Sequence, residues 1–301
     1  MNKQIDFSIV IPTYNRSNLL KRAINSILNQ TYNNGKIEII IIDNNSEDDT
    51  RDMIEKYYSD IKYLCNKENR GPGYARNRGL VNSSYNWVLM LDDDDELVNG
   101  ALNIIYDKLN SINNLDKYPV YNFACSNGFI LKDFMILNFS DYVNNVIKGD
   151  FTPIFNKKMI LSENLKYPDT IVGGESFLWY KIAYKYGIPT WSNVVCLLHD
   201  DAPIRLTRKE SQIKFASEHA LLQEQYINYF GDLYKKYNVD ELHKRYFAAS
   251  IYFLLSNNRQ KARRYILINI KNKKYFMVSI LLLIISYFPL NVIVFLYKIF
   301  R

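Results

Sequence analysis

Trp87-Val88-Leu89-Met90-Leu91-Asp92-Asp93-Asp94-Asp95 sets an apolar run directly against four carboxylates. The apolar half reads as a short buried strand. The acidic half is costly at a strand end, because adjacent carboxylates repel one another unless a cation is present. Hard oxygen ligands of this kind suit Mg²⁺ or Mn²⁺, which typically combines one or two carboxylates with substrate phosphates. A solvated acidic turn is the ordinary reading of an acidic cluster; its place at the end of a buried strand favours the cation.

Outward from this stretch, the first ninety residues alternate between two periodicities. Phe7 to Pro12 and Ile37 to Ile42 read as buried strands, and Ile61 to Cys65 as a weaker one. Between them, Leu19, Leu20, Ala23, Ile24, Ile27 and Leu28 recur at helical spacing, ending near Gln30. Ser46-Glu47-Asp48-Asp49 fits a capping box opening a helix through about Tyr58, and a further helix starts at about Tyr74. Strand and helix alternating at this pace predict an α/β fold, with right-handed crossovers and a mostly parallel sheet covered by helices on both faces. Such sheets bind ligands outside the carboxyl ends of their strands. The unusual polar clusters all fall at that edge: Thr13 to Arg16, Asp43 to Ser46 and Asp92 to Asp95.

Each cluster has two readings. Asp43, followed by Asn44, Asn45 and Ser46, suits hydrogen bonding to a nucleobase or ribose, and equally a turn and helix cap. Asn69-Arg70-Gly71-Pro72-Gly73-Tyr74-Ala75-Arg76-Asn77-Arg78-Gly79 puts loop glycines and arginines before a helix, which suits a diphosphate. It is not a lysine-bearing phosphate loop, and an ordinary loop with solvated arginines is the alternative. Further along, Tyr118 to Leu137 and Phe151 to Phe155 predict more strands, and Glu175 to Tyr186, 209–230 and 241–256 predict helices.

At 301 residues, 48% hydrophobic and 23% charged, the chain has a full core and is neither disordered nor a disulfide-stapled miniprotein. Three scattered cysteines exclude a disulfide framework and suit a reducing cytosol, and no secretory leader is expected from the short first apolar run. From Arg205 to Arg301 there are 17 Lys/Arg against 6 Asp/Glu, so the net charge of +7 is concentrated in the last third. Beside it, Phe276 to Tyr297 carries no charge over 22 residues, interrupted by Pro289. Length alone suffices for a bilayer crossing, but neither half does. The expected arrangement is a helix–Pro–helix element on the cytoplasmic leaflet with its basic residues on lipid headgroups. A single kinked transmembrane helix and a buried soluble helix are the alternatives. Lys271, Lys273 and Lys274 flank one end and Lys298 and Arg301 the other, so charge selects no crossing direction.

Ser8-Ile9-Val10-Ile11-Pro12-Thr13-Tyr14-Asn15-Arg16, the segment Ile-Asp-Asn-Asn-Ser ending at Ser46, Asn69-Arg70-Gly71 with Ala75-Arg76-Asn77, and Leu91 to Asp95 occur in that order. Together they closely resemble the family 2 glycosyltransferases, inverting enzymes of the GT-A (Rossmann-like) fold, over about residues 6–110. The resemblance implies a UDP-sugar donor whose base and ribose are lined by Pro12, Thr13, Tyr14 and Arg16, with Asp43 facing the base. Asn45, Arg70, Asp92 and Asp93 complete the candidate nucleotide-sugar set, with Arg76 near the donor phosphates or sugar. Asp94, and secondarily Asp95, would ligate Mn²⁺ or Mg²⁺, and His199 is a third candidate because some GT-A enzymes use a late histidine. A strand-end histidine satisfied by local hydrogen bonds is the other reading of His199. The general base is expected in a Glu-Asp pair opening a helix; here Glu175 keeps the first acid and Ser176 stands at the second, with Asp169 as fallback. Arg205 and Arg208 are candidates for phosphate contact or plain surface arginines.

The expected organisation is a catalytic domain at 1–205, with a nucleotide half to about 110 and an acceptor half from about 111. A basic helical extension at 206–274 and a membrane-associating tail at 275–301 follow. The expected acceptor is a lipid-linked glycan in surface polysaccharide (O-antigen or capsule) synthesis at the cytoplasmic membrane face. Competing classes are a sugar nucleotidyltransferase, disfavoured because no glycine follows the first strand, and a glycan-binding protein that has lost catalysis, supported only by Ser176. A nucleic-acid partner is not expected, because the positive charge avoids the acidic cluster.

Overall fold

The structure, a computed structural model, describes residues 4–202 and 208–300. Arg205 and Arg301 lie outside the described residues. The chain forms two compact units, Met1–Pro203 and Ile204–Arg301.

The first unit opens with β1 (Phe7–Thr13), α1 (Ser17–Leu28), β2 (Ile37–Asp43), α2 (Thr50–Tyr57), β3 (Lys62–Cys65), α3 (Pro72–Asn82) and β4 (Trp87–Met90). These four strands are parallel neighbours in the order β3-β2-β1-β4. All seven residues of β1 are buried, because its alternate side chains enter two different cores. Phe7, Ile9 and Ile11 meet Leu20 and Ile24 of α1 together with Leu89 and Leu91. Val10 meets Ala75 and Leu80 of α3 together with Val88 and Met90. A strand covered on both faces needs no polar alternation, which is why it reads as a continuous apolar run.

After β4 come β5 (Glu96–Leu97), α4 (Ala101–Asn110), β6 (Val120–Cys125), β7 (Phe134–Leu137), α5 (Phe139–Val143) and β8 (Phe151–Asn156). Then α6 (Lys157–Ser162), α7 (Glu175–Lys185) and β9 (Ile188–Leu197) complete a nine-stranded sheet in the order β3-β2-β1-β4-β8-β6-β9-β5, with β7 on β9. The α/β architecture is as expected, but this half is mixed rather than parallel: β8 runs antiparallel to both β4 and β6. The chain leaves β6 at its carboxyl edge and comes back to that same edge, where Cys125 N bonds Asp150 O and Phe129 pairs with Lys148. β8 therefore starts where β6 stops and must run the other way.

The second unit is helical: α8 (Lys209–Lys214), α9 (Ala216–Tyr237), α10 (Val239–Leu255), α11 (Arg259–Lys271), α12 (Phe276–Ile285) and α13 (Leu290–Phe300). Its core gathers Ala216, Ala220, Ala249, Phe253, Tyr265, Ile266 and Ile293. His243 is buried among these helices, with Nδ1 2.9 Å from Asn269 Oδ1. The apolar tail is divided between α12 and α13, and no described helix is long and apolar enough to cross a membrane. Arg263 of α11 braces the break, donating to Ser286 Oγ at 2.9 Å and lying 4.0 Å from the Tyr287 ring centre.

Candidate active site

Thr13 and Asp43 are register partners at the carboxyl ends of β1 and β2, so the two loops that follow start side by side. Asn15, in the left-handed region at φ 53°, donates its backbone N–H to Ser46 Oγ (2.8 Å), and its side chain accepts from Glu47 N (2.7 Å). Asp43 is buried; its Oδ1 accepts from Ser46 N (2.9 Å) and Oγ (2.6 Å), and its Oδ2 from the Tyr63 hydroxyl. Ser46 therefore does not cap α2, as the sequence pattern suggested. The helix starts at Thr50 behind Asp49, and Ser46 is consumed in tying the β1 and β2 loops together. Tyr14 and Asn45 project outward from this stitched rim, whereas Pro12 is buried within β1.

The four aspartates are divided by the sheet. Asp93 continues the alternation of Leu89 and Leu91 toward α1, where it is buried and accepts from Thr13 Oγ1 (2.7 Å) and Arg16 (2.8 Å). Burial pushes its carboxyl up to about 6, against the pull of Arg16 and Thr13. Arg16 also reaches Asp94 at 3.3 Å. Asp92 continues the alternation of Val88 and Met90 toward α3 and α7, and there it accepts from Arg76 Nη2 at 2.7 Å. The other Arg76 nitrogen, Nη1, donates to Glu175 Oε1, also at 2.7 Å. Arg76 is buried, yet its guanidinium is driven further toward the charged form because Asp92 and Glu175 outweigh the cost of burial.

Glu175 is the first residue of α7, reached through Gly173 and Gly174, both at positive φ. Asp169 is held instead by Arg70, whose guanidinium lies 4.0 Å from the Tyr74 ring centre. The two acids considered as bases thus belong to separate ion pairs, and only Glu175 is joined to the aspartate cluster. The 167–171 segment closes on the start of α3: Asn77 and Tyr167 exchange two hydrogen bonds of 2.9 Å. Gly71 sits at φ 84°, ψ 170°, a backbone region essentially reserved to glycine, and a Cβ there would meet Thr170 O at 2.5 Å. Gly71→Ala should cost about 3 kcal/mol. Calorimetry should then read a Tm lowered by roughly 6–12 °C.

Asp95 is pushed up to about 8, first by burial and then by the like charges of Asp92 and Asp94, although it accepts the backbone N–H of His199. The His199 ring turns elsewhere: its Nε2 lies 2.8 Å from Glu96 Oε1. Of the expected ligands Asp94, Asp95 and His199, the His199 ring thus lies against Glu96 rather than against the two aspartates. Among the described residues, no three His, Cys, Asp or Glu side chains are grouped to hold an ion. The donors that are present, Asp94 beside an Asp95 carboxyl that burial and its acidic neighbours push toward the neutral form, fit a hard divalent cation that draws most of its oxygens from a bound diphosphate and restores the charge of Asp95. Arg208, at the start of the second unit, is exposed.

Several contributors stand outside the candidate residues named above. Asn44 Nδ2 donates to Gly71 O (3.2 Å), Asn66 Nδ2 donates to Asn44 Oδ1 (2.7 Å), and Arg78 bonds Cys65 O (2.8 Å). These contacts link the ends of β2 and β3 to α3; Asn44 and Arg78 belong to polar clusters quoted above, whereas Asn66 does not. Arg22, which donates to Asp94 O at 2.6 Å, lies in an otherwise ordinary amphipathic helix.

Residues 8–161 match the family described as Glycosyl transferase family 2. The chain is 33% identical over 193 residues to a GalNAc(5)-diNAcBac-PP-undecaprenol beta-1,3-glucosyltransferase of Campylobacter jejuni, over 58% of this chain and 59% of that protein. It thus covers less than two thirds of that relative's length. Among solved structures, residues 1–349 of S. aureus TarS in complex with UDP-GlcNAc superpose with a TM-score of 0.61 at 16% identity, over 98% of this chain and 92% of that one. A mannosyltransferase of Pyrobaculum calidifontis in complex with GDP-Man and Mn²⁺ superposes with a TM-score of 0.53 at 16% identity, over 97% and 84%. At such identities the likeness is one of fold.

Proposed function

The chain belongs to glycosyl transferase family 2, and on that premise we propose that it transfers a hexose or N-acetylhexosamine, with inversion, from a UDP-sugar to a hydroxyl of a lipid-linked glycan in surface polysaccharide synthesis. The observation that carries this reading is the Arg76 bridge, which fixes Asp92 of the donor edge and Glu175 of α7 on one guanidinium. An inverting transfer needs a carboxylate beside the donor's sugar, on the face opposite the leaving diphosphate.

Tyr14, Asn45 and the rim held by Asp43 and Ser46 receive the nucleoside, with Thr13 and Arg16 beneath it. Pro12 and Asp93 act from inside, by shaping that floor. Asp92 faces the ribose, and Arg70 and Arg76 supply positive charge toward phosphate and sugar. Glu175 takes the proton of the acceptor hydroxyl; the oxygen forms its bond to C1 as the C1–O bond to the diphosphate breaks, and the electron pair leaves with UDP. Asp94 and Asp95 would hold a divalent ion, which when bound neutralises charge on the leaving diphosphate. The donor class is supported by the UDP-GlcNAc complex of a fold neighbour, the metal by the Mn²⁺ complex of another, and the acceptor class by the undecaprenyl-linked substrate in the Campylobacter relative's name.

In the second unit, Met277, Leu281, Ile284, Tyr287 and Phe288 are all exposed, and Lys271, Lys273 and Lys274 immediately precede them. This pair of short apolar helices, entered through a run of lysines, suits the cytoplasmic membrane face, its apolar side chains in the acyl boundary and the preceding lysines on anionic headgroups. Leu281→Glu with Ile284→Glu should weaken co-sedimentation with vesicles containing phosphatidylglycerol by roughly tenfold or more; unchanged sedimentation removes the tail as the anchor.

The reading is tested by UDP release from a panel of UDP-sugars, with Mn²⁺ and with chelator. Metal-dependent release with at least one donor is expected. No release from any donor overturns it and leaves a glycan- or nucleotide-binding protein of the same fold.

A further inference from the structure

We infer that Arg22, outside every motif quoted above, is a positioning residue that ties the Asp94–Asp95 turn to the chain leaving β9, and so sets how residues 199–201 sit against the acidic cluster. The inference rests on the transferase reading for its kinetic consequence, and on geometry alone for the coupling.

Arg22 projects from α1 and spends its guanidinium on both sides of the divide. Nη2 donates to the main-chain oxygen of Asp94 at 2.6 Å. Nη1 and Nη2 also hold the two carboxylate oxygens of Asp201, at 2.6 and 3.0 Å. Nε lies 3.4 Å from Glu96 Oε1, the same oxygen that lies 2.8 Å from His199 Nε2. The His199 main chain in turn donates to Asp95, and Glu96 pairs with Leu197 across β5 and β9. One planar fork therefore reaches a carbonyl in the acidic turn, the carboxylate that follows that turn, and a carboxylate two residues beyond His199. A lysine, with a single point of charge, cannot reproduce this geometry.

The contacts are placed for position rather than for stability. Arg22 is about a quarter exposed and Asp201 about half exposed, with side-chain values of 26% and 52%, and exposed ion pairs contribute little to folding. Arg22 also borders an open groove of about 410 Å³ shared with Lys21, Asn25 and Glu96, so a shorter polar side chain there stays solvated. Yet Asp94 and Asp95 stand on the turn whose carbonyl Arg22 holds, and small displacements of groups around a reacting centre cost rate steeply.

The experiment compares Arg22→Gln, Arg22→Lys, Asp201→Asn and the Arg22→Gln/Asp201→Asn pair in the full chain. For Arg22→Gln, turnover of the UDP-sugar should fall roughly 10- to 100-fold. Its Tm should change by no more than about 3 °C, as for an exposed pair. Arg22→Lys should recover little of the rate, and Asp201→Asn should add little to Arg22→Gln, since both break one unit. Hydrogen exchange, which needs no turnover, should rise together in residues 92–97 and 196–202 and stay unchanged in β1 to β3. Exchange unchanged in either segment, exchange rising throughout the sheet with a falling Tm, or turnover within twofold of wild type would each overturn the inference. Paired exchange in a chain that releases no UDP would uphold the coupling while removing the transferase reading.

Discussion

Glu175→Gln is expected to lower turnover by about 10²- to 10⁴-fold, the range that a general base contributes, with the KM for the UDP-sugar nearly unchanged. The substitution keeps size and shape. A glutamine oxygen still accepts from Arg76 Nη1, now 2.7 Å from Glu175 Oε1, so the bridge to Asp92 can persist. What is lost is the ability to take a proton. Initial rates of UDP release and calorimetric UDP affinity separate the two effects: a large fall in rate with unchanged affinity marks the base. A retained rate would move the role to Asp169, whose carboxylate is paired with Arg70 rather than joined to the cluster.

The second large effect is a contrast between neighbours. Asp94→Ala should cut turnover by about 10²- to 10³-fold, as loss of a group stabilising developing charge does, while leaving Tm almost unchanged. Asp94 is half-buried at the edge, and its carboxylate lies 3.3 Å from Arg16. Asp93→Ala should do the reverse in thermodynamic terms. It strips Thr13 and Arg16 of a buried carboxylate held at 2.7 and 2.8 Å, which should cost about 3 kcal/mol. Thermal unfolding should then start roughly 6–12 °C lower. Equal melting temperatures for the two variants would refute this division of the quartet.

That division shows what the sequence does and does not reveal. The apolar runs of β1, β2 and β4 are legible because both of their faces are buried, and the polar clusters at their ends mark the edge where the site forms. Which aspartate turns inward depends on what covers each face of the sheet: α1 brings Arg16 to Asp93, and α3 brings Arg76 to Asp92. That information is held by residues 16 and 76, far from the quartet in the chain. The same reasoning explains Ser46. Its spacing to Asp49 satisfies a local capping rule, but the hydroxyl is donated three residues back to Asp43 at 2.6 Å and accepts from a non-local partner, the backbone N–H of Asn15, at 2.8 Å. The mixed second half escapes a reading by periodicity because β8 is as apolar as a parallel strand, and only the return of residues 126–150 to their starting edge reverses it. His199 is visible as an unusual residue, but its partner, Glu96, sits on a two-residue strand too short to announce itself.

The insertion of β8 between β4 and β6 has a consequence for the chain as it emerges from the ribosome. When residues 1–110 have been made, the strands β3, β2, β1 and β4 are all available, but the outer flank of β4 has no neighbour until residues 151–156 arrive. For that interval a nascent chain carries an open, apolar strand margin, the kind of surface that recruits other chains. Fragments ending near residue 110 should accordingly form aggregates in a cell-free translation, and fragments that extend past residue 197, which also supply β9 as the neighbour of β6, should stay in the supernatant. Vectorial synthesis thus makes the middle of this polypeptide the guardian of its beginning.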